Sequence, residues 1–219
     1  MQQEAIYLRP TPTIDCDNTV IQAKAQELVR EQPEVPDKAR SLFYFVRDEI
    51  RYDIYIPGDK PEYYRASRTM KAGEGFCIQK AVLMAALARA AGIPARLHLA
   101  AIRNHLVPAK LRELMGGNVF PTHGYAALYL EGVWVKVAPT FDLKMCQKNR
   151  FTPTEFDGRH DATLPPRNME GKPHIEYVED RGYYDDLPFE KIMNWRTEAF
   201  GADFFERMRQ AIESRKARP

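Results

Sequence analysis

Residues 71–94 read KAGEGFCIQKAVLMAALARAAGIP, and this stretch decides the fold. Two glycines and a lone cysteine, Cys77, stand before an Ala- and Leu-rich run that a Gly and a Pro bring to an end. The run predicts a long buried helix from about Cys77 to Ala91. Cys77 would then lie at the helix N-terminus, where unpaired backbone N–H groups and the helix dipole favour a thiolate. Taken alone, this position favours a packed structural cysteine over a nucleophile.

Composition and charge describe an ordinary soluble domain. The 219 residues are 44% hydrophobic and 28% charged, which allows one sizeable core. The net charge is only +2 and no run of basic residues occurs, so nucleic acid is not an expected partner. The N-terminus lacks the pattern of a secretory signal, and no apolar run reaches the roughly eighteen residues of a membrane span. We expect a soluble, cytoplasmic protein with no membrane partner.

The three cysteines, Cys16, Cys77 and Cys146, are far apart in the sequence. Their odd number and wide spacing fit neither a disulfide framework nor a CxxC metal site. A reducing compartment is the natural inference. Cys16 and Cys146 lack the sequence setting of Cys77, and we interpret both as structural.

Other elements are predicted on both sides of the cysteine helix. Helices are expected near 19–30 and from Pro36, with a short one after Pro108 and a last one over 203–215. A strand is expected from Ala95. Three segments lack clear periodicity and are predicted to be irregular: 53–74, 103–122 apart from its short helix, and 143–190. The last of these, acidic and aromatic near its end, either packs on the core as a tail or covers a cleft.

The segments GYAALYL and VWVKVAP predict a β-hairpin with Glu131 and Gly132 in the turn. The residue numbers of two cross-strand partners then add up to 263, which places His123 opposite residue 140. Asp142, two residues further on, would lie on the same face of the hairpin and diagonal to His123. An imidazole oriented by a carboxylate is the arrangement that a thiol nucleophile needs. Whether Cys77 meets this pair cannot be decided from periodicity.

Three blocks carry a family resemblance: the upstream helix ARSLFYFVRDEIRYD, then GEGFCIQKAVLMAALARAAGIPAR and THGYAALYLEGVWVKVAPTFD. Their order and spacing resemble the core of the transglutaminase-like superfamily over about residues 35–145. The resemblance implies a papain-like fold with a Cys–His–Asp triad. By that likeness Cys77 is the nucleophile, His123 the general base and then acid, and Asp142, at the close of the second hairpin strand, orients His123.

The same resemblance suggests Tyr52 as an oxyanion donor, although a packing tyrosine at a helix end is an equal alternative. Two positions depart from the family pattern: Phe76 and Ala138 stand where members often carry an acidic residue. His98 and His105 are alternative bases, but His98 fits a core histidine better.

The triad side chains could also be considered as metal ligands. Zinc sites usually contain a closely spaced ligand pair, which Cys77, His123 and Asp142 do not provide. We therefore expect no metal and no cofactor, since covalent catalysis by a thiol requires neither.

Together these features predict an α+β protein with a papain-like transglutaminase core, in which helices pack on an antiparallel β-sheet. Residues 1–34 are expected to form an N-terminal helical extension, 35–145 the catalytic core and 146–219 a C-terminal extension packed on it. The expected function is cysteine-dependent hydrolysis of a peptide or other amide through an acyl-thioester. Two alternatives stay open: a transglutaminase or other acyltransferase with an amine acceptor, and a non-catalytic binding module.

Overall fold

The computed structural model describes residues 4–216, so the ends of both predicted extensions lie outside the described residues. The helices are α1 (Thr19–Val29), α2 (Val35–Glu49), α3 (Ala66–Ala72), α4 (Cys77–Ala90), α5 (Ala109–Met115), α6 (Leu143–Asn149), α7 (Phe189–Phe200) and α8 (Phe204–Lys216). The strands are β1 (Arg51–Tyr52), β2 (Glu74–Gly75), β3 (Ala95–Asn104), β4 (Val119–Leu130), β5 (Val133–Val137) and β6 (Ile175–Tyr184).

The four longer strands form one antiparallel sheet in the order β5-β4-β3-β6, and β1 and β2 form a small parallel pair. Helix α4 packs on β3 and β4 and is surrounded on its other sides by α1, α2 and α3. Every residue of α4 from Ile78 to Arg89 is buried, which explains why its sequence is apolar on all sides apart from Gln79, Lys80 and Arg89. The predicted α+β architecture of helices packed on an antiparallel sheet is confirmed.

The hairpin register is confirmed from the turn to Val137, where β5 ends, so the expected pairing of His123 with residue 140 does not form. Leu130 pairs with Val133 and Ala126 with Val137, so partners sum to 263 as predicted. The two turn residues both have positive φ, 48° at Glu131 and 94° at Gly132. This backbone shape is that of the tight hairpin turns whose twist matches the flanking strands.

Four sequence predictions need correction. The segment 103–122 is irregular only in part, because β3 continues to Asn104 and β4 begins at Val119. Asp142 does not close a strand: β5 ends at Val137, and Asp142 instead precedes α6. The segment 53–74 is not wholly irregular, because it contains α3, a seven-residue helix too short to show clear periodicity. The segment 143–190 contains β6, an edge strand whose polar residues and register shifts against β3 hide the alternation of a regular strand.

The first turn of α4 is anchored to the end of α2 by a buried lysine. The Lys80 side chain is fully buried, and its Nζ donates to the carbonyl oxygens of Arg47 at 3.1 Å and Ile50 at 2.6 Å. Burial lowers the pKa of Lys80 to about 7, against the opposing effect of the Asp142 and Asp48 carboxylates. The amine therefore satisfies carbonyls at a helix end that would otherwise be buried without donors.

The start of α4 lies unusually close to β4, and Gly124 makes this possible. A Cβ atom at position 124 would lie 2.8 Å from Cγ1 and 2.9 Å from Cα of Ile78. Because one of these atoms is backbone, the contact could be relieved only by moving α4 away from the sheet. Cys77 and His123 are the chain neighbours of Ile78 and Gly124, so the same close approach brings the candidate nucleophile and base together.

We predict that Gly124→Ala destabilises the protein by about 1–3 kcal/mol, the usual cost of overpacking. The measurement is the free energy of unfolding in urea. Gly117→Ala is the matched control, because nothing lies within 4 Å of a Cβ at that position. Equal stability of the two variants would contradict the close-approach interpretation.

Candidate active site

A cavity of about 510 Å³ opens where the start of α4 meets β4. Cys77 and His123 both line it, as does Tyr52 at the end of β1. The remaining walls come mainly from 53–59, β3, the start of β4, 140–141 and the helices α5, α6, α7 and α8. They are rich in apolar side chains, including Phe76, Leu111, Phe120, Phe141, Phe200, Phe205, Met208 and Ile212. The structure therefore brings the predicted nucleophile, base and oxyanion donor to one concave site.

Cys77 is the first residue of α4, and Gln79 helps to fix the local backbone. The Gln79 Oε1 atom accepts from the backbone N–H of Phe76 at 3.2 Å, and its Nε2 donates to the carbonyl of Tyr63 at 2.7 Å. Gly73, just upstream, takes a left-handed conformation with φ of 66° and ends α3. The two glycines before the cysteine thus lie in the short connection between the end of α3 and the start of α4.

The thiol of Cys77 is partly buried. Burial raises its pKa above the ordinary value, against opposing effects from the backbone N–H groups of Gly124, Ile78 and Cys77 and from the charge of Arg196. The expected stabilisation of a thiolate by backbone N–H groups is therefore present, but burial outweighs it. The resting side chain is the neutral thiol.

His123 lies in β4 and is almost fully buried. Burial lowers its pKa to about 3, so the resting imidazole is neutral. Its Nε2 atom lies 3.4 Å from the hydroxyl of Tyr177 on β6, and its ring stacks with Tyr125 at a centroid distance of 5.7 Å. In the tautomer in which Nε2–H donates to the Tyr177 hydroxyl, Nδ1 carries no hydrogen and is able to accept a proton.

Asp142 is held by backbone groups. Its Oδ1 accepts from the N–H of Met145 at 2.8 Å and caps α6, and its Oδ2 accepts from the N–H of Tyr52 at 2.8 Å. Asp142 and His123 share no hydrogen bond in the described structure, so the orienting role of Asp142 stays a prediction. The carboxylate fixes the end of β1, and through it the position of Tyr52.

The Tyr52 ring packs edge-on against Phe141, with ring centroids 4.9 Å apart. Burial raises the pKa of its phenol well above the ordinary value, and a negative charge on Cys77 would raise it further. The hydroxyl is therefore protonated and can donate a hydrogen bond into the cavity. Its use as an oxyanion donor stays a prediction.

Sequence reasoning missed two residues of this site. Tyr177 lies in β6, and its sequence gives no clear signal because the polar residues of 175–184 do not alternate as in a regular strand. Arg196 lies on α7 and lines the cavity, but its sequence gives no sign that the helix reaches Cys77. Both belong to the segment predicted as a C-terminal extension, which therefore helps to build the site.

The alternative residues lie elsewhere. His98 is fully buried in the sheet, with Nε2 2.8 Å from an Asp180 carboxylate oxygen and rings of Tyr125 and Tyr183 on either side. His105 lies beside Glu176, at 3.3 Å. Cys16 and Cys146 are buried and free.

Between residues 4 and 216, no group of three or more His, Cys, Asp or Glu side chains is arranged to hold a metal ion. No helix in the same range has the length and apolar character needed to cross a membrane.

Comparison with known families matches residues 22–139 to the Transglutaminase-like superfamily. The chain belongs to the transglutaminase-like superfamily. The match spans α4, β3, β4 and β5 and includes Cys77 and His123, while Asp142, Tyr177 and Arg196 lie beyond its end.

One solved structure with a TM-score above 0.5 supports the fold. A candidate cysteine protease from Cytophaga hutchinsonii superposes with a TM-score of 0.53 at 19% identity, covering 85% of this chain and 48% of the other. The periplasmic domain of TgpA from Pseudomonas aeruginosa gives a TM-score of 0.46 at 24% identity, over 63% of this chain and 46% of that domain. This chain thus matches about half of each of these structures. Comparison with curated proteins finds no match.

We predict that iodoacetamide alkylates Cys77 faster than Cys16 or Cys146, because Cys77 alone of the three lines the cavity. Its raised pKa also sets the pH dependence: the rate at neutral pH lies below that of a free cysteine and continues to rise beyond the pH at which an ordinary thiol is half ionised. Peptide mapping by mass spectrometry over a pH series measures both. Rapid labelling that levels off at mildly acidic pH would instead indicate a resting thiolate.

A second prediction concerns Asp142. Asp142→Asn is expected to lower the free energy of unfolding by about 1–3 kcal/mol, because one of two backbone donors then faces an amide NH₂ group. Chemical denaturation measures the change, with the exposed Asp17→Asn as control. A variant as stable as the wild type would count against the anchoring role.

Proposed function

We propose that the protein is a cysteine-dependent hydrolase of amide bonds, acting on a peptide-like or other amide substrate through an acyl-thioester on Cys77. The observation that carries the proposal is the shared cavity of Cys77, at the start of α4, and His123, on the adjoining strand β4. Membership of the transglutaminase-like superfamily supports the reaction class.

The first half of the reaction forms the acyl-enzyme. Nδ1 of His123 takes the proton of the Cys77 thiol as the sulfur attacks the substrate carbonyl carbon, giving a tetrahedral intermediate. The backbone N–H of Cys77 and the hydroxyl of Tyr52 are suited to stabilise its oxyanion. Collapse breaks the C–N bond, and His123 returns its proton to the departing amine.

The second half releases the acid. His123 removes a proton from water, which attacks the thioester carbonyl and forms a second tetrahedral intermediate. The C–S bond then breaks, the carboxylic acid leaves, and the proton on His123 returns to the sulfur. The enzyme is restored without a cofactor.

In the resting site, the electrostatics favour transfer of the Cys77 proton to His123 only when a substrate is bound. Burial favours the neutral forms of both Cys77 and His123. Charge separation between them becomes favourable only as the sulfur bonds to carbon and the charge moves to an oxyanion with hydrogen-bond donors around it. The contact between Tyr177 and Nε2 of His123 supports this transfer by holding the ring with Nδ1 free.

We also propose a cytoplasmic location, supported by the three free cysteines. Fractionation of expressing cells checks this.

The test of the function is a screen of peptide and amide substrates with the wild-type protein and Cys77→Ala. We expect release of the free acid by the wild type and at least a ~10³-fold loss in Cys77→Ala. Cys16→Ala is the matched control, because Cys16 does not line the cavity. Parallel reactions contain a primary amine at high concentration.

Each outcome separates one of the alternatives. Free acid that forms equally with and without the amine supports hydrolysis. Amide product that forms at the expense of acid would instead assign an acyltransferase. Turnover that survives in Cys77→Ala, or no turnover of any substrate by either protein, would contradict the proposal.

A further inference from the structure

Arg196 differs from the other arginines of the cavity in having no carboxylate partner. Arg215 pairs with Asp53 at 2.6 Å, and Arg209 with Glu206 at 2.8 Å. Among the described residues, no acidic group lies within ion-pair distance of Arg196. An unpaired guanidinium is uncommon in a partly buried position, because its desolvation is then uncompensated.

Neutral groups hold the Arg196 guanidinium in place. Its Nε donates to the hydroxyl of Thr122 at 3.0 Å, and its Nη1 donates to the hydroxyl of Tyr64 at 2.9 Å. The Tyr64 hydroxyl donates onward to the carbonyl of Gly58 at 2.8 Å, so its oxygen lone pairs are free to accept. Thr122 and Tyr64 are both buried, so the guanidinium is held at two points by side chains of the core. Within residues 4–216, Nη2 has no hydrogen-bond partner.

The Arg196 guanidinium lies close to both reacting residues. Thr122 directly precedes His123, and the guanidinium lies 5.3 Å from the ring centroid of Phe76, which directly precedes Cys77. The charge of Arg196 lowers the pKa of Cys77, although burial has the larger and opposite effect. The cation therefore interacts electrostatically with the sulfur. An anionic group bound by Arg196 would therefore lie close to the reacting carbonyl.

We propose that Arg196 binds a carboxylate of the substrate next to the scissile amide, and so selects acidic amides. This inference rests on the proposed function for its substrate, since an amide must be bound at Cys77. Arginine suits the task because its planar fork matches a carboxylate, and Nη2 supplies a free donor. The apolar walls of the cavity accommodate the rest of the molecule. A chain-terminal carboxylate and an Asp or Glu side chain share this chemistry.

The experiment uses two alkylating reagents of nearly equal size, anionic iodoacetate and neutral iodoacetamide. The quantity measured is the ratio of their rates at Cys77, in which any general change in thiol reactivity cancels. We expect Arg196→Gln to lower the iodoacetate-to-iodoacetamide ratio by about tenfold, a size typical of a partly exposed charge-assisted contact. The wild-type ratio should also fall as salt is raised.

Arg68→Gln is the matched control. It removes the same charge from a guanidinium that stacks on Tyr63 and does not line the cavity. Its ratio should stay within about twofold of the wild type, since Arg68 is exposed and solvent and salt weaken the effect of an exposed charge. An unchanged ratio in Arg196→Gln, or an equal fall in Arg68→Gln, would overturn the proposal.

Protection of Cys77 provides a test that needs no variant to fold. N-acetyl-leucine and N-acetylglutamate α-amide each carry one carboxylate, and N-acetyl-leucinamide carries none. We expect the carboxylates to slow labelling of wild-type Cys77 by iodoacetamide, and the stronger protector identifies a chain-terminal or side-chain source. Equal protection by the neutral amide, or none by either carboxylate, would contradict the proposal. Neither assay needs turnover, so failure of the proposed hydrolysis would be recognised separately in the substrate screen.

Discussion

The close contact between β4 and the start of α4 is the constraint on which the site depends. At Gly124 the strand has no side chain, and Ile78 occupies the space where a Cβ would lie. Ile78 directly follows Cys77 and Gly124 directly follows His123, so this contact brings the nucleophile and the base close together. A nucleophile on a helix end and a base on a strand are thereby held by the packing of two rigid elements.

Other buried groups fix this contact in three dimensions. Lys80 joins α4 to the end of α2, and Asp142 joins the start of α6 to the backbone of Tyr52. Tyr177 contacts His123 from β6. Each is a polar group whose desolvation cost is offset by hydrogen-bond partners. Because hydrogen bonds are directional, each group fixes the relative position of the elements it joins more narrowly than apolar packing would. The site is thus assembled by elements from nearly the whole chain, including the part beyond the family match.

Local sequence patterns are sufficient to predict the helix that carries the nucleophile and the hairpin that carries the base. The apolar run after Cys77 and its Gly–Pro stop predicted α4, and the Glu131–Gly132 turn predicted the hairpin register. The position of Asp142 was predicted wrongly because the register was extended past Val137, where pairing ends. Tyr177 and Arg196 could not be placed, since their roles depend on contacts between segments far apart in sequence, which periodicity does not contain.

The central claim is that Cys77 and His123 act together on a carbonyl, and acylation by an activated aryl ester tests it most directly. The protein is mixed with 4-nitrophenyl acetate, quenched in acid, and the acetyl group on the Cys77 peptide is quantified by mass spectrometry over time. The account predicts that Cys77 is acetylated rapidly and then deacylated, and that His123→Gln slows acetylation by about 10²-fold or more. Acetylation of Cys77 at the same rate in the wild type and His123→Gln would contradict it.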